Sequence, residues 1–185
     1  MRIGLISDTH GSLKAWNQAM ELFQDCQVIL HGGDILYHGP RNPLPEGYDP
    51  KELANELNNL GKSLFMVGGN CDAEVDNMVL NHPVLTPYFY TSLEGLNILV
   101  LHGHKYSQEE LFQLGKRYQA DMIMVGHTHI PQIKHQDDLI LINPGSPSLP
   151  KGEDKVPAVG ILDTTEKTVE IKDLRNTNTL ISSSW

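Results

Sequence analysis

The chain has 185 residues and a net charge of −9 at neutral pH, from 14 Lys and Arg against 23 Asp and Glu, and this is the wrong sign for holding long nucleic acids through their phosphates. Its two cysteines cannot build a disulfide framework, and its apolar runs are too short for a membrane span, so we expect a cytoplasmic protein that binds no membrane. The length is sufficient for one sizeable core, and we predict a single domain over residues 1–185.

The first part of the chain alternates predicted strands with predicted helices. Short apolar, β-branched runs predict buried strands over residues 2–7, 28–30 and 63–67. Apolar side chains at helical spacing predict helices over 12–23 and 51–60. The segment 35–50 is rich in Pro, Gly and Asn, which predicts an irregular surface loop.

The second part of the chain is predicted to contain mainly hairpins. These pair residues 85–92 with 96–101, 132–135 with 139–143, and 158–163 with 168–172. A helix is predicted over 107–118, starting at a capping box of Ser107 and Glu110, and it leads into a strand over 122–125. The polar tail after residue 172 is predicted to be frayed. Mixed βαβ and hairpin patterns indicate a sheet-rich α/β fold with its helices outside.

Five polar motifs each follow directly after a predicted strand. They are Asp8-Thr9-His10, Gly33-Asp34, Gly69-Asn70, His102 and Gly126-His127-Thr128-His129. In open α/β sheets, ligands bind at the carboxyl ends of the strands. In extended chain, side chains that are two residues apart project to the same side. The two side chains of each Asp-x-His or His-x-His pair can therefore face one space. Such nitrogen and oxygen donors suit divalent Mn, Fe, Co, Ni or Zn, so the motifs predict a metal site.

The same motifs, in this order, resemble the calcineurin-like metallophosphoesterase superfamily. The Gly-Asn-Cys-Asp stretch at 69–72 and the Asn-Pro-Gly-Ser loop at 143–146 resemble its small bacterial branch of YfcE-type phosphodiesterases, relatives of Vps29. The resemblance implies an αββα fold, in which two mixed β-sheets pack as a sandwich with helices on both outer faces. It also implies a site for two divalent metal ions, with Mn as the first candidate and Zn, Fe, Co or Ni as alternatives.

Carried over position by position, the resemblance assigns a ligand set. It implies that one ion is held by Asp8, His10 and His129. The other would be held by Asn70, His102 and His127, with the Asp34 carboxylate bridging both. A hydroxide bridging the two ions would then attack phosphorus in a small phosphodiester substrate.

Two other functions stay open beside the phosphodiesterase. One lies within the same class, a phosphomonoesterase or a hydrolase of nucleotide anhydrides. The other is a metal-binding interaction scaffold similar to Vps29, since a fold alone is weak support for an activity. Whether the chain forms a homo-oligomer is also open.

The proton donor of the family motif is altered in this sequence. The family carries a His that protonates the leaving group where this chain has Cys71. Because a thiol is a poorer proton donor than an imidazole, we expect a preference for good leaving groups, such as those of aryl phosphodiesters. His104, two residues after His102, is the second candidate catalytic residue, either contacting substrate or standing behind the ligands.

Three further polar residues are predicted to support the site without binding metal. His31 is expected to support Asp34 by packing or hydrogen bonding. Asp72 is expected to be an outer carboxylate, and Asn143 with its Pro-Gly turn is expected to brace the metal loops.

Overall fold

A computed structural model describes residues 1–84 and 86–185. Over these residues the strands are β1 (Arg2–Ile6), β2 (Val28–His31), β3 (Ser63–Met66), β4 (Tyr88–Leu93), β5 (Leu96–Leu101), β6 (Met122–Met124), β7 (Gln132–Gln136), β8 (Leu139–Asn143), β9 (Ala158–Asp163), β10 (Thr168–Asp173) and β11 (Thr179–Ser184). The helices are α1 (Leu13–Leu22), α2 (Pro50–Asn58) and α3 (Gln108–Tyr118), and a short 3-10 helix covers Glu74–Met78.

The strands form two mixed sheets. One has six strands in the order β11-β10-β9-β1-β2-β3, and the other has five in the order β4-β5-β6-β8-β7. The strands β1, β2 and β3 run parallel, as do β5, β6 and β8. Since parallel neighbours end at the same edge of a sheet, the loops that carry the five polar motifs are gathered there.

Alternating side chains along the strands place the core in three layers. Ile3 of β1 packs with Ile98 of β5 in the apolar cluster between the two sheets. On the opposite face of the first sheet, Ile6 packs in the cluster formed with α1 and α2. Leu99 faces away from the other sheet, toward α3. The predicted sandwich with helices on both outer faces is therefore confirmed.

Side-chain caps fix where two helices begin. At the start of α1, the Ser12 hydroxyl accepts the backbone N–H of Ala15 at 3.1 Å. At the start of α3, Ser107 and Glu110 form the predicted reciprocal capping box. Within the described part of the chain, none of the helices is both long and apolar enough to cross a membrane.

The structure corrects the prediction for the tail. Residues after 172 were expected to fray, but Thr179–Ser184 forms β11, which pairs antiparallel with β10. Most side chains of this strand are polar, so tertiary pairing decides its conformation. The 3-10 helix at Glu74–Met78 lies where no element was predicted. Leu85, the first residue of a predicted strand, lies outside the described residues, and the observed strand begins at Tyr88.

Candidate metal centre

Five of the predicted ligands occupy an unfavourable backbone conformation. Asp8, His10 and Asp34 have φ values of 56°, 47° and 56°, and His127 and His129 have 68° and 59°. For residues other than glycine, this left-handed region costs roughly 1–2 kcal/mol each. Such strain persists only where the surrounding structure enforces it, and it concentrates at functional sites.

One group of potential ligands comes from the loops after β1 and β6. Nε2 of His10 lies 3.3 Å from Nε2 of His129. Oδ1 of Asp8 lies 3.3 Å from Nε2 of His129 and 3.8 Å from Nε2 of His10. Nδ1 of His10 and Nδ1 of His129 donate to the carbonyl oxygens of Tyr37 and Leu149, at 2.8 Å and 2.6 Å. Because carbonyl oxygens only accept, the Nε2 atom of each neutral ring presents a lone pair.

Three lone-pair atoms therefore converge in a buried space. The other carboxylate oxygen of Asp8 is occupied by the Ser7 hydroxyl and the His127 N–H. Its Oδ1 atom is buried, and no hydrogen-bond partner for it lies in residues 1–84 or 86–185. Converging acceptors repel one another unless a cation lies between them. A divalent metal ion satisfies all three at once, so the residues present fit the implied group.

A second group of potential ligands comes from the loops after β2, β3 and β5. Nδ1 of His102 donates to the Gly32 carbonyl at 2.7 Å, so its Nε2 atom is free to face the site. That Nε2 atom lies 3.3 Å from Oδ2 of Asp34 and 3.2 Å from Oδ1 of Asn70. Oδ2 of Asp34 is also 3.7 Å from Nε2 of His10. Asp34 thus lies between the two groups, the position that a bridging carboxylate requires.

A proton on His102 competes with a metal ion for the space between His102 and Asp34. Burial alone would lower the pKa of His102, but its hydrogen bond to Asp34 and the charge of Asp8 raise that pKa to about 9. Burial would raise the pKa of Asp34, yet the hydrogen bond and charge of His102 hold it below its usual range. At neutral pH the metal-free protein therefore keeps a proton between these groups, and metal binding must displace it.

His127 and His104 lie beside these groups. The ring centroid of each is 5.4 Å from that of His102. Among the described residues, the groups of three ligand atoms lying within 4.8 Å of one another include neither ring. Nδ1 of His104 is buried, and the described chain offers it no hydrogen-bond partner. The roles of His127 as a ligand and of His104 as a catalytic residue stay predictions.

Cys71 lies against Asp34, the predicted bridging carboxylate. Its backbone N–H donates to Oδ1 of Asp34 at 2.8 Å, and its sulfur accepts from the Asn70 amide at 3.3 Å. With His10 and Asp34 it also forms a third group that could hold a metal ion. Burial and the charge of Asp34 raise the pKa of the Cys71 thiol to about 12. The thiol therefore keeps its proton at neutral pH.

Asp72 connects the loop after β2 to the loop after β3. Its carboxylate accepts the backbone N–H groups of Asp34, Ile35 and Gly69 at 2.8, 2.7 and 2.7 Å. Burial raises its pKa to about 6, although these three hydrogen bonds oppose the shift. Asp72 thus positions Asp34 from behind, as predicted for an outer carboxylate.

His31 supports the same loop. The Thr9 hydroxyl donates to the Ile35 carbonyl at 2.9 Å, so it accepts from Nε2 of His31 at 3.1 Å. Nδ1 of His31 then accepts the Gly33 N–H at 3.1 Å. Burial lowers the pKa of His31 to about 3, which keeps this ring neutral. The predicted supporting role of His31 is confirmed.

Asn143 braces the loop after β6. Its amide group donates to the Gly126 carbonyl and the Thr128 hydroxyl at 2.7 and 3.0 Å, and its oxygen accepts the Gly145 N–H at 2.9 Å. A Cβ atom on Gly126 would collide with the Ser7 hydroxyl, so only glycine permits this approach of the loop to β1. The predicted bracing role of Asn143 is confirmed.

A cavity of about 730 Å³ opens onto the site. Its lining includes Asn70, Cys71, His127 and His129 together with two exposed cations, Arg41 and Lys151. These cations escaped the sequence prediction because a single Arg or Lys in a loop carries no spacing signal. Neither residue directly follows a predicted strand end, because both lie inside loops rich in Pro.

Comparison with known proteins shows a family and a fold. A sequence model described as the calcineurin-like phosphoesterase superfamily domain matches residues 1–167. Phosphodiesterase YfcE of Escherichia coli is 41% identical over 165 residues, which are 88% of this chain and 88% of that protein. A solved structure of Yfce, a phosphoesterase from E. coli, matches with a TM-score of 0.87 and 34% identity over 100% of this chain and 99% of the other. A zinc-complexed Vps29 of Entamoeba histolytica matches with a TM-score of 0.73 and 18% identity over 100% of this chain and 99% of the other, a likeness that shows the fold alone.

Proposed function

Since the chain belongs to the calcineurin-like phosphoesterase superfamily, we propose that it is a metal-dependent phosphodiesterase with two divalent ions, acting on small phosphodiesters. One observation carries this proposal. Lone-pair atoms of Asp8, His10 and His129 converge where the described residues supply no donor, and Asp34 lies between them and His102. The phosphodiesterase name of the E. coli relative, at 41% identity, agrees with it.

The proposed ligand set uses every motif that follows a strand end. One ion would be held by Asp8, His10 and His129, and the other by Asn70, His102 and His127, with Asp34 shared. Mn is the proposed ion, with Zn, Fe, Co or Ni as alternatives, because the set contains only nitrogen and oxygen donors. When bound, two such ions activate a water molecule near neutral pH and offset the charge of the phosphoryl oxygens.

The protein's own side chains orient these groups and the substrate. Carbonyl oxygens fix the rings of His10, His102 and His129 through their Nδ1 atoms, so each Nε2 atom is aimed before any ion binds. Arg41 and Lys151 line the same cavity and suit the negative charge of a phosphodiester. Cys71 lies beside Asp34 with its proton retained, and we propose that it is near the leaving group.

A cytoplasmic location is part of the same proposal. Cys26 and Cys71 are both free thiols in the described chain, and this suits a reducing compartment.

Metal add-back tests the proposed function. The protein would be stripped with a chelator, and each divalent ion would be restored in turn with matched 4-nitrophenyl monoester and diester substrates. We expect Mn²⁺ to restore hydrolysis of the diester at a higher kcat/KM than hydrolysis of the monoester. A faster monoester reaction would favour the phosphomonoesterase. Absence of hydrolysis under every ion would favour a metal-binding scaffold.

A further inference from the structure

A second cavity, of about 440 Å³, lies beside the metal centre. Tyr37 and Cys71 line both this space and the polar cavity that contains Asn70 and His127. The two spaces therefore share a wall. An ester group on a phosphate held in the polar cavity would lie next to the second one.

The lining of this second space is mainly apolar, and we call it the apolar cavity. Its main walls are Leu36, Ala54, Val75 and Val79 with the rings of Tyr37 and Tyr48. Of its charged lining residues, Lys51 is exposed, and Asp76 is buried and accepts the Ala73 N–H at 2.7 Å. Its volume falls within the range of small-molecule pockets, and apolar walls favour an uncharged group.

Aromatic rings form part of the wall of the apolar cavity, and one of them, Tyr37, also lines the polar cavity. The His38 ring lies edge-on to Tyr37 with centroids 4.7 Å apart, and edge-on to Tyr48 with centroids 5.3 Å apart. Contacts among the three rings hold the Tyr37 and Tyr48 side chains in place. Faces and edges of fixed aromatic rings bind another flat ring in offset or edge-on packing.

We propose that the apolar cavity is the subsite for a flat aromatic ester group of the substrate, a subsite that rests on the proposed function. Two features select the same group. The apolar walls of the cavity remove an aromatic ring from water, and the fixed rings of Tyr37 and Tyr48 offer it flat packing partners. The substrate class is therefore aryl phosphodiesters, with the ring in the apolar cavity and the phosphate in the polar one.

Two simple phosphonates test this subsite at equilibrium, without turnover. Binding of phenylphosphonate and of methylphosphonate to the Mn²⁺-loaded full chain would be measured by titration calorimetry. We expect the wild type to bind the phenyl compound about tenfold more tightly, because only its ring enters the apolar cavity.

Variants on the 3-10 helix supply a matched control. Val75 and Met78 are 59% and 82% exposed, but only Val75 lines the apolar cavity. In Val75→Gln, and in Val79→Gln as a second cavity variant, the phenyl-to-methyl affinity ratio should fall at least about threefold. In Met78→Gln the ratio should stay at the wild-type value. Neutral glutamine is used so that no added charge acts on the anionic phosphonate.

The outcomes separate this proposal from the one on which it rests. If the wild type hydrolyses a diester but all three variants keep the same ratio, the subsite is wrong and the proposed function stands. If no divalent ion restores hydrolysis in the wild type, the proposed function is wrong, and the subsite that rests on it is overturned as well. If Val75→Gln instead changes the molecular mass in light scattering and leaves the ratio unchanged, a second copy of the chain covers the cavity and the subsite is overturned.

Discussion

The family resemblance implies that Cys71 stands where a proton-donating imidazole is usual, and the surroundings of the thiol make it a weaker acid still. Burial and the carboxylate of Asp34 raise its pKa to about 12, far above neutral pH. A general acid is most effective when its pKa is close to the working pH. Hydrolysis should therefore depend steeply on the acidity of the leaving alcohol.

We expect Cys71→His to increase kcat/KM for a phosphodiester with a poor leaving group by about tenfold or more, because an imidazole can protonate that group. For a diester with a 4-nitrophenyl leaving group, the change should be small. Linear free-energy plots of kcat/KM against leaving-group pKa would measure the effect for both proteins. An equal slope in the two plots would show that residue 71 does not protonate the leaving group.

The wild-type thiol of Cys71 stays protonated up to high pH, because its pKa is raised to about 12. In the metal-free protein, the rate of Cys71 alkylation should therefore show no titration step between neutral pH and pH 10.

Single residues also mark the limit of prediction from sequence. The identities of Asp8, His10 and Asp34 were visible because each follows an apolar run, which fixes its place at a strand end. Arg41 and Lys151 were not visible, since their approach to the site depends on how two irregular loops fold back. Their side chains carry no periodicity, so only tertiary structure places them.

The loops after β1, β2 and β6 hold their residues in strained backbone. His127 has a φ of 68°, whereas the φ of its neighbour Thr128 is not positive. Glycine adopts left-handed φ without the steric cost that a Cβ atom imposes. The strain should therefore be measurable at residue 127 by comparing glycine with alanine.

In the metal-free protein, we expect His127→Gly to be more stable than His127→Ala by about 1 kcal/mol, which corresponds to a difference in Tm of about 2 to 4 °C for a chain of this size. Both variants lack the imidazole, so the difference reports the backbone alone. Thr128→Gly and Thr128→Ala are the matched control pair, and there alanine should be the more stable. Thermal unfolding followed by circular dichroism would measure all four. If alanine is also the more stable residue at 127, the left-handed conformation costs nothing and the strain is absent.

Elements were predicted well where the pattern was local and poorly where it was not. The capping box of Ser107 and Glu110 is a contact within one helical turn, so its sequence pattern was sufficient. The strand β11 depends on pairing with β10, and its polar sequence gave no apolar alternation to detect. The left-handed φ values were equally invisible, because Asp and His occur in many conformations and the strain is imposed by neighbouring loops.

The whole molecule brings loops from two sheets to one edge. Asp8 and Asp34 come from the six-stranded sheet, and His102, His127 and His129 follow strands of the five-stranded sheet. The apolar layer between the sheets therefore fixes the spacing of the predicted ligands. The sandwich fold was predicted from the family resemblance, and the placement of the polar motifs at strand ends was predicted from the residues. Both predictions are confirmed. The single domain predicted for residues 1–185 stays a prediction.

Charge gives a reason for the two proposed ions. The chain carries a net charge of −9, and Asp8 and Asp34 are buried where an anionic phosphate would have to approach. Two divalent cations would reverse the local sign and permit that approach.

Counting the Mn²⁺ ions bound per chain tests the proposed binuclear site most directly. The metal-free protein would be dialysed against Mn²⁺, and bound metal would be counted by elemental analysis in the wild type and in His127→Ala. We predict two ions per wild-type chain and one per His127→Ala chain, because Asp8, His10 and His129 form a group that does not include His127. One ion per wild-type chain would contradict the binuclear site, and the loss of both ions in His127→Ala would contradict the assignment of His127 and His129 to different ions.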